Sequence, residues 1–133
     1  MFKSLFGKKD NNEPKKEVEK TSNINWIPLT SVEQITEVKE ASKKGSVAVF
    51  KHSTRCIISR TVLQNFEEDY PSDIDLKLYF IDLLNYRDVS NAIAEQFGVI
   101  HQSPQFILIK NEKAVLNASH HGINEINLTE SIN

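Results

Sequence analysis

Short, continuous apolar runs punctuate this chain and are separated by longer segments with helical spacing. The continuous apolar run at residues 46–50 is typical of a strand buried on both faces, 106–109 predicts a further buried strand, and the mainly apolar segment at 76–83 predicts another strand. The polar sequence KNEK at 110–113 separates the last run from a further apolar segment at 114–116. This arrangement predicts a β-hairpin at the end of the sheet.

Three segments between these runs carry apolar residues three to four positions apart, as expected for one face of a helix. Their members are Val32, Ile35, Val38 and Ala41; Ile58, Val62, Leu63 and Phe66; and Val89, Ala92, Ile93 and Phe97. Thr30 and Glu33 fit a capping box for the first helix, and Asp88 is the predicted cap of the third. Gly45 and Gly98 are predicted to end the first and third helices.

A short extended segment at 26–29 precedes the first helix, and residues 124–132 predict a last short helix. The element order is therefore β-α-β-α-β-α-β-β-α. Alternation of strands and helices favours parallel strand pairs with helices on both faces, while the hairpin adds an antiparallel pair. The sequence predicts an α/β fold with a mixed β-sheet.

Composition and charge indicate one globular domain with a charged tail. The chain has 133 residues, of which 39% are hydrophobic and 26% charged. Residues 1–23 carry six Lys and four acids with few apolar residues, so we expect a flexible tail there and a folded domain at 24–133. No apolar stretch approaches ~20 residues and no secretory leader is apparent, so we expect a cytoplasmic protein without membrane contact. The net charge of −2 gives no indication of nucleic-acid binding, and we expect a monomer.

The only cysteine, Cys56, lies in the sequence KHSTRCIISR at 51–60, between a predicted strand and a predicted helix. Residues 41–66 carry five basic residues and no acid: Lys43, Lys44, Lys51, Arg55 and Arg60. Unpaired N–H groups at a helix start and nearby positive charge both favour a thiolate over a thiol. The sequence therefore predicts a reactive thiol. The alternative is a chemically inert cysteine that serves as a small hydrophobic residue.

Ser59 follows Cys56 with the spacing of a redox Cys-x-x-Cys motif whose second thiol is replaced. A hydroxyl there can hydrogen-bond a thiolate but cannot close a disulfide. A single thiol must work through a mixed disulfide with another molecule. Alternatively, Ser59 only caps the helix. Ser103-Pro104 precedes the third buried run, and its peptide bond can be cis or an ordinary trans bond at a strand start.

The element order, the CxxS sequence and Ser103-Pro104 before the hairpin together resemble the thioredoxin-like fold. More narrowly, FKHSTRCIISR at 50–60 with WIPLT at 26–30 is similar to the YtxJ-like monothiol bacilliredoxins, from about residue 25 to the C-terminus. The resemblance implies that Cys56 is the nucleophile that removes bacillithiol from mixed disulfides on protein thiols. It also implies that Ser59 occupies the resolving position and that Pro104 is a cis-proline.

The resemblance further implies a thiol-ligand site and its partners. The predicted binding residues are Lys51, Thr54, Arg55, Ser103, Pro104, His121 and Gly122. Bacillithiol carries carboxylates, which the basic residues around Cys56 would complement. The expected partners are bacillithiol as co-substrate and bacillithiolated proteins, with no tightly bound cofactor and no metal. One departure is Ile57, since the family often has proline directly after the cysteine.

Rival interpretations come from other functional classes. A monothiol glutaredoxin-like protein would use glutathione or carry an iron–sulfur cluster, although no glycine adjoins Cys56 here. A metal site would draw on Cys56, His52 and the His120–His121 pair. A thioredoxin-like interaction domain would have an inert Cys56. A redox sensor would form a mixed disulfide at Cys56 under stress and would not act on other proteins.

Overall fold

The strands form a single mixed sheet with the spatial order β1-β3-β2-β4-β5. The structure, a computed structural model, describes residues 24–133, so the predicted tail at 1–23 lies outside the described residues. The strands are β1 (Ile27–Pro28), β2 (Val47–His52), β3 (Lys77–Asp82), β4 (Gln105–Lys110) and β5 (Lys113–Ser119). β3 is parallel to β1 and β2, whereas β4 is antiparallel to β2 and β5. The predicted mixed α/β sheet is confirmed.

Helices cover both faces of this sheet. They are α1 (Gln34–Lys44), α2 (Ile57–Asp69), α3 (Arg87–Phe97), a 3-10 helix (His120–Glu125) and α4 (Leu128–Ile132). Because strand side chains alternate between faces, β2 contributes to two cores. Val47 and Val49 pack with residues of α1 and α3, while Ala48 and Phe50 pack with α2. Among residues 24–133, no helix is long and apolar enough to cross a membrane.

The capping box of α1 lies one residue later than predicted. The Ser31 hydroxyl accepts a hydrogen bond from the Gln34 N–H at 3.3 Å, and the Gln34 side-chain oxygen accepts from the Ser31 N–H at 3.1 Å. These are the two reciprocal bonds of a capping box, in which an amide replaces the expected carboxylate. The predicted pair Thr30 and Glu33 is therefore wrong, because Gln34 rather than Glu33 reaches back across the turn.

The other helix ends follow the sequence more closely. Helix α3 begins at Arg87, so Asp88 lies in its first turn rather than at its cap. Gly98 ends this helix in the left-handed region, with φ of 65°, as the glycine predicted. Residues 120–122 belong to the 3-10 helix that follows β5.

The KNEK turn is the predicted hairpin connection, and its two central residues both have positive φ. Asn111 has φ of 50° and Glu112 has φ of 66°. The Asn111 and Glu112 N–H groups donate to the carbonyl and hydroxyl of Ser42, each at 2.8 Å, which ties the turn to α1. Positive φ suits Asn or Gly, whereas Glu pays a steric cost for it.

We therefore expect Glu112→Gly to be more stable than Glu112→Ala by ~1 kcal/mol, because glycine adopts this backbone without the Cβ conflict. Both variants lose the exposed ion pair between Lys43 and Glu112, so their difference isolates the backbone effect. Urea denaturation of the two variants measures it. Equal stability would contradict a strained Glu112.

Candidate active site

Cys56 lies at the carboxyl end of the central strand β2, the edge at which open α/β sheets bind ligands. After β2 ends at His52, a short turn leads to Cys56, which is the extended N-cap residue of α2. The Cys56 N–H donates to the Ser53 carbonyl at 3.2 Å, which closes this turn. The thiol is partly exposed and makes no capping hydrogen bond. It is therefore a free thiol, partly open to solvent, at the start of a 13-residue helix.

A cis peptide bond between Ser103 and Pro104 borders the same edge of the sheet. Lys51 of β2 pairs with Gln105 of β4, so the preceding Pro104 lies beside the end of β2. The buried Ser103 hydroxyl oxygen has no hydrogen-bond partner within the described part of the chain. The cis form is the one that the family resemblance implied. The turn that carries Cys56 and the loop before β4 thus form two neighbouring walls of the candidate site.

His121 and Gly122 follow β5 at this edge as part of the 3-10 helix. The adjoining His120 N–H donates to the Pro104 carbonyl at 3.0 Å, which joins this segment to the cis-proline loop. The Asn124 side chain donates to the Val62 carbonyl of α2 at 3.1 Å. His121 itself is exposed. The structure therefore brings these residues to the predicted edge, and their contact with a thiol ligand stays a prediction.

The basic residues predicted around Cys56 divide between the two ends of β2. Lys43 and Lys44 lie in the last turn of α1, which precedes β2, and are separated from the thiol by a strand of ~20 Å. Arg55 and Arg60 are exposed and lie within four residues of Cys56. Arg60 donates from its guanidinium to the carbonyl of exposed Thr54 at 3.1 Å. The local positive charge is thus supplied by two arginines rather than by five residues.

Lys51 does not line the thiol site, so its predicted contact with a ligand is wrong. It is fully buried, and its ammonium donates to the Ser90 carbonyl at 3.1 Å and contacts His101 Nδ1 at 3.0 Å. Alternation along β2 places Lys51 on the face covered by α1 and α3. Burial lowers the pKa of Lys51 to about 8. Burial, followed by the charges of Lys51 and Arg87, also lowers the pKa of His101.

Ser59 is fully buried in the first turn of α2 and does not cap it, because Cys56 holds the cap position. Its hydroxyl oxygen accepts from the Ser53 N–H at 3.1 Å and lies 2.8 Å from His52 Nδ1. The hydroxyl therefore bonds the turn and an imidazole, whereas the sequence suggested a bond to the thiolate.

His52 is the neighbour of Lys51 on β2, so its side chain points to the opposite face, towards α2. It is paired in register with Asp82 of β3. One Asp82 carboxylate oxygen accepts from Asn85 at 2.8 Å, while the other is buried without a partner among the described residues. Burial lowers the pKa of His52, Asp82 opposes this shift and the charge of Arg60 adds to it.

Sequence reasoning missed four polar residues that the structure places around the end of β2: His52 as a partner of Ser59, Asp82, Ser90 and His101. The two-residue period of a strand buried on both faces was the available signal. This period predicts that the adjacent side chains of Lys51 and His52 point to opposite faces. Because both faces are buried, both side chains need buried hydrogen-bond partners. Nothing in the sequence indicated which residues those partners are.

The residues that a metal site would draw on, Cys56, His52, His120 and His121, do not come together as a metal-binding group. Across residues 24–133, the structure contains no group of three or more His, Cys, Asp or Glu side chains placed to hold a metal ion.

Lys51 makes the stability of the protein depend on pH. Its pKa is about 8 in the folded protein and ordinarily 10.5, so the unfolded chain binds more protons between these values. Stability must therefore rise with pH in this window. From pH 8 to pH 10 we expect the free energy of unfolding of the wild type to increase by ~2 kcal/mol relative to Lys51→Met. Urea denaturation at both pH values measures this difference.

The exposed Lys113 provides the matched control, because Lys113→Met should follow the wild type at both pH values. Parallel curves for the wild type and Lys51→Met would show that Lys51 does not lose its proton in this range.

Comparison with known proteins gives a consistent family and fold. A family model described as "Monothiol bacilliredoxin BrxC" matches residues 27–128. A structure described as "A putative oxidoreductase with a thioredoxin fold" is 33% identical, with a TM-score of 0.68 over 80% of this chain and 92% of that chain. Thioredoxin from Schistosoma mansoni is 22% identical, with a TM-score of 0.62 over 84% of this chain and 95% of its own. Malassezia sympodialis thioredoxin is 21% identical, with a TM-score of 0.58 over 79% and 85%. The two thioredoxins support the fold alone.

Proposed function

Because the chain belongs to the monothiol bacilliredoxin family, we propose that it removes bacillithiol from mixed disulfides on protein thiols, with Cys56 as the nucleophile. The observation that carries this proposal is the position of the single thiol. Cys56 is partly exposed at the N-cap of α2, and the position that would hold a resolving cysteine is a buried serine, Ser59. Such a thiol exchanges disulfides with other molecules and cannot store one internally.

The proposed reaction has two exchange steps. The Cys56 thiolate attacks the bacillithiol sulfur of the mixed disulfide, that disulfide breaks, and the target protein leaves as a thiolate that takes up a proton. A second thiol, from free bacillithiol or a dithiol reductase, then attacks the Cys56 adduct and releases Cys56. Each step forms one disulfide and breaks one, so no further oxidant or reductant is needed. The reaction requires a reducing compartment, and we propose the cytoplasm.

Recognition of bacillithiol would use the residues that surround Cys56. Bacillithiol carries carboxylates, and Arg55 and Arg60 are exposed cations beside the thiol. The cis-proline loop at Ser103–Pro104 offers the backbone against which the ligand would lie, and His121 and Gly122 extend the same edge. Lys51 takes no part in this contact because its side chain is buried between the sheet and α3.

Turnover with a bacillithiolated model protein, with free bacillithiol as the second thiol, tests the proposal. We expect repeated release of the target thiol by the wild type and none by Cys56→Ser, because serine does not exchange with disulfides. The same target carrying glutathione should react more slowly. Equal or faster reaction with glutathione would favour a glutaredoxin-like function. Release limited to one equivalent would indicate a redox sensor, and no release would indicate a non-catalytic domain.

Arg55 should contribute to substrate binding rather than to the chemical step. We expect Arg55→Ala to raise the KM for the bacillithiolated protein about threefold to tenfold with little change in kcat, as loss of one exposed charge contact of ~1 kcal/mol predicts. Lys44→Ala removes a cation at the other end of β2 and should leave KM unchanged. Equal KM values for the wild type and Arg55→Ala would show that Arg55 does not bind the substrate.

A further inference from the structure

We propose that Lys51 is a positioning residue of the thiol site, which holds the cis-proline segment (residues 100–104) in place through its contact with His101. Lys51 does not touch the ligand, because it acts from the face of the sheet that α1 and α3 cover. The inference rests on the proposed function for its effect on turnover. Its effect on the segment itself is independent of any substrate.

Buried Lys51 joins helix α3 to the cis-proline segment. Its ammonium donates to the Ser90 carbonyl at 3.1 Å and lies 3.0 Å from His101 Nδ1. The Ser90 hydroxyl lies 3.3 Å from the same ring nitrogen. An ammonium has only hydrogens to donate, so Nδ1 is the acceptor and the proton of a neutral His101 ring lies on Nε2. The position of the imidazole is therefore fixed by both β2 and α3.

The charges at neutral pH suit this contact. Burial lowers the pKa of Lys51 to about 8, so the amine keeps its proton at pH 7. Burial, followed by the charges of Lys51 and Arg87, lowers the pKa of His101, so its ring is neutral there. An ammonium beside a neutral imidazole is the combination in which one group donates and the other accepts.

Gln105, the first residue of β4, bonds the same segment at two further points. Its buried side chain donates from Nε2 to the Ile100 carbonyl at 2.9 Å, and its Oε1 accepts from the Gln102 N–H at 3.3 Å. Together with the contact of His101, these bonds fix three consecutive residues directly before Ser103–Pro104. Two buried polar side chains, from β2 and β4, therefore hold the approach to the cis peptide bond.

Lysine is a costly residue for this place in the core. The other β2 residues on the same face, Val47 and Val49, are apolar and pack with α1 and α3. A buried ammonium loses hydration that an apolar side chain never had, and the lowered pKa of Lys51 reflects this cost. What lysine supplies and an apolar residue lacks is a donor for His101. Its presence therefore fits a need for position rather than for stability.

The cis-proline segment is the part of the proposed site that gains from being held. Ser103 and Pro104 offer the backbone against which the ligand would lie, and a segment that is already ordered has less freedom to lose on binding. Cys56 belongs to a different element, the turn between β2 and α2. Loss of Lys51 should therefore weaken binding more than it slows the chemical step.

Amide hydrogen exchange of the full chain at pH 7, followed by NMR, tests the positioning without a substrate. Lys51→Met removes a buried charge, so we expect the variant to fold. The two reporters are the Gln102 N–H and the His120 N–H, which donates to the Pro104 carbonyl at 3.0 Å. We expect both to exchange about tenfold faster in Lys51→Met than in the wild type, because the segment opens locally.

The hairpin turn supplies the internal control for this measurement. The Asn111 and Glu112 N–H groups are bonded to Ser42 at the opposite end of the sheet and should exchange at the wild-type rate. Unchanged exchange of the two reporters would overturn the proposal. An equal increase at the control amides would also overturn it, because it would show a general loss of stability.

Turnover of the bacillithiolated model protein tests the effect on the site. We expect Lys51→Met to raise KM about threefold to tenfold with little change in kcat. Lys113→Met removes an exposed lysine at the start of β5, far from the thiol, and should match the wild type. An unchanged KM for Lys51→Met, or a loss confined to kcat, would overturn the role of Lys51 in the site.

Two variants of His101 separate loss of the contact from loss of the ring. Leucine has no acceptor, whereas asparagine carries Oδ1 near the place of Nδ1. We expect His101→Leu to raise KM and reporter exchange as Lys51→Met does, and His101→Asn to recover most of both. The double variant Lys51→Met with His101→Leu should be no worse than either single variant, because both remove one contact. Equal KM values for the two His101 variants would overturn the contact as the cause.

The two kinds of measurement distinguish failure of this proposal from failure of the proposed function. If the wild type does not turn over the bacillithiolated protein but the reporters exchange faster in Lys51→Met, the substrate assignment fails and Lys51 still positions the segment. If the wild type turns over and the reporters are unchanged, the function stands and the positioning role is refuted.

Discussion

Burial of β2 on both faces is the constraint on which the thiol site depends. The strand is central in the sheet, and all six of its residues are buried, including the polar Lys51 and His52 at its carboxyl end. Buried polar groups require hydrogen-bond partners, and consecutive strand residues point to opposite faces. Lys51 therefore bonds the Ser90 carbonyl of α3 and contacts His101, whereas His52 contacts Ser59 of α2. His101 belongs to the segment before β4, and Ser59 belongs to the first turn of α2. The buried side chains at the end of β2 therefore anchor the segments on both sides of the thiol.

The same arrangement isolates the thiol from any internal disulfide partner in the position that the proposed function requires. Helix α2 starts at Ile57, so Cys56 is the N-cap residue, next to the first turn whose N–H groups lack partners within the helix. The residue that would complete an internal disulfide is Ser59, whose hydroxyl is committed to the turn and to His52. Ile57, which stands where the family often has proline, is 70% exposed and leaves the helix start intact. The apolar Ile57 side chain therefore faces solvent beside the thiol.

Local patterns in the sequence were sufficient for most of the fold. Apolar runs and helical spacing predicted the strands and helices, and Gly98 marked a helix end through its need for positive φ. The capping box was misplaced because Ser31 and Gln34 compete with Thr30 and Glu33 in one short segment. The position of the thiol was predictable because it depends on one strand–helix junction. The partners of Lys51 and the Asp82 neighbour of His52 were not predictable, because they come from segments 30 to 50 residues away in the chain.

Intact-mass analysis of the protein from its native host, with and without oxidant, tests the central claim most directly. The claim is that Cys56 carries a small thiol between molecules. We predict that oxidant produces a single adduct of bacillithiol mass on Cys56 and that a reductant removes it. A glutathione adduct would contradict the assignment of the substrate. The absence of any adduct after oxidant treatment would contradict the proposal that Cys56 is a reactive thiol.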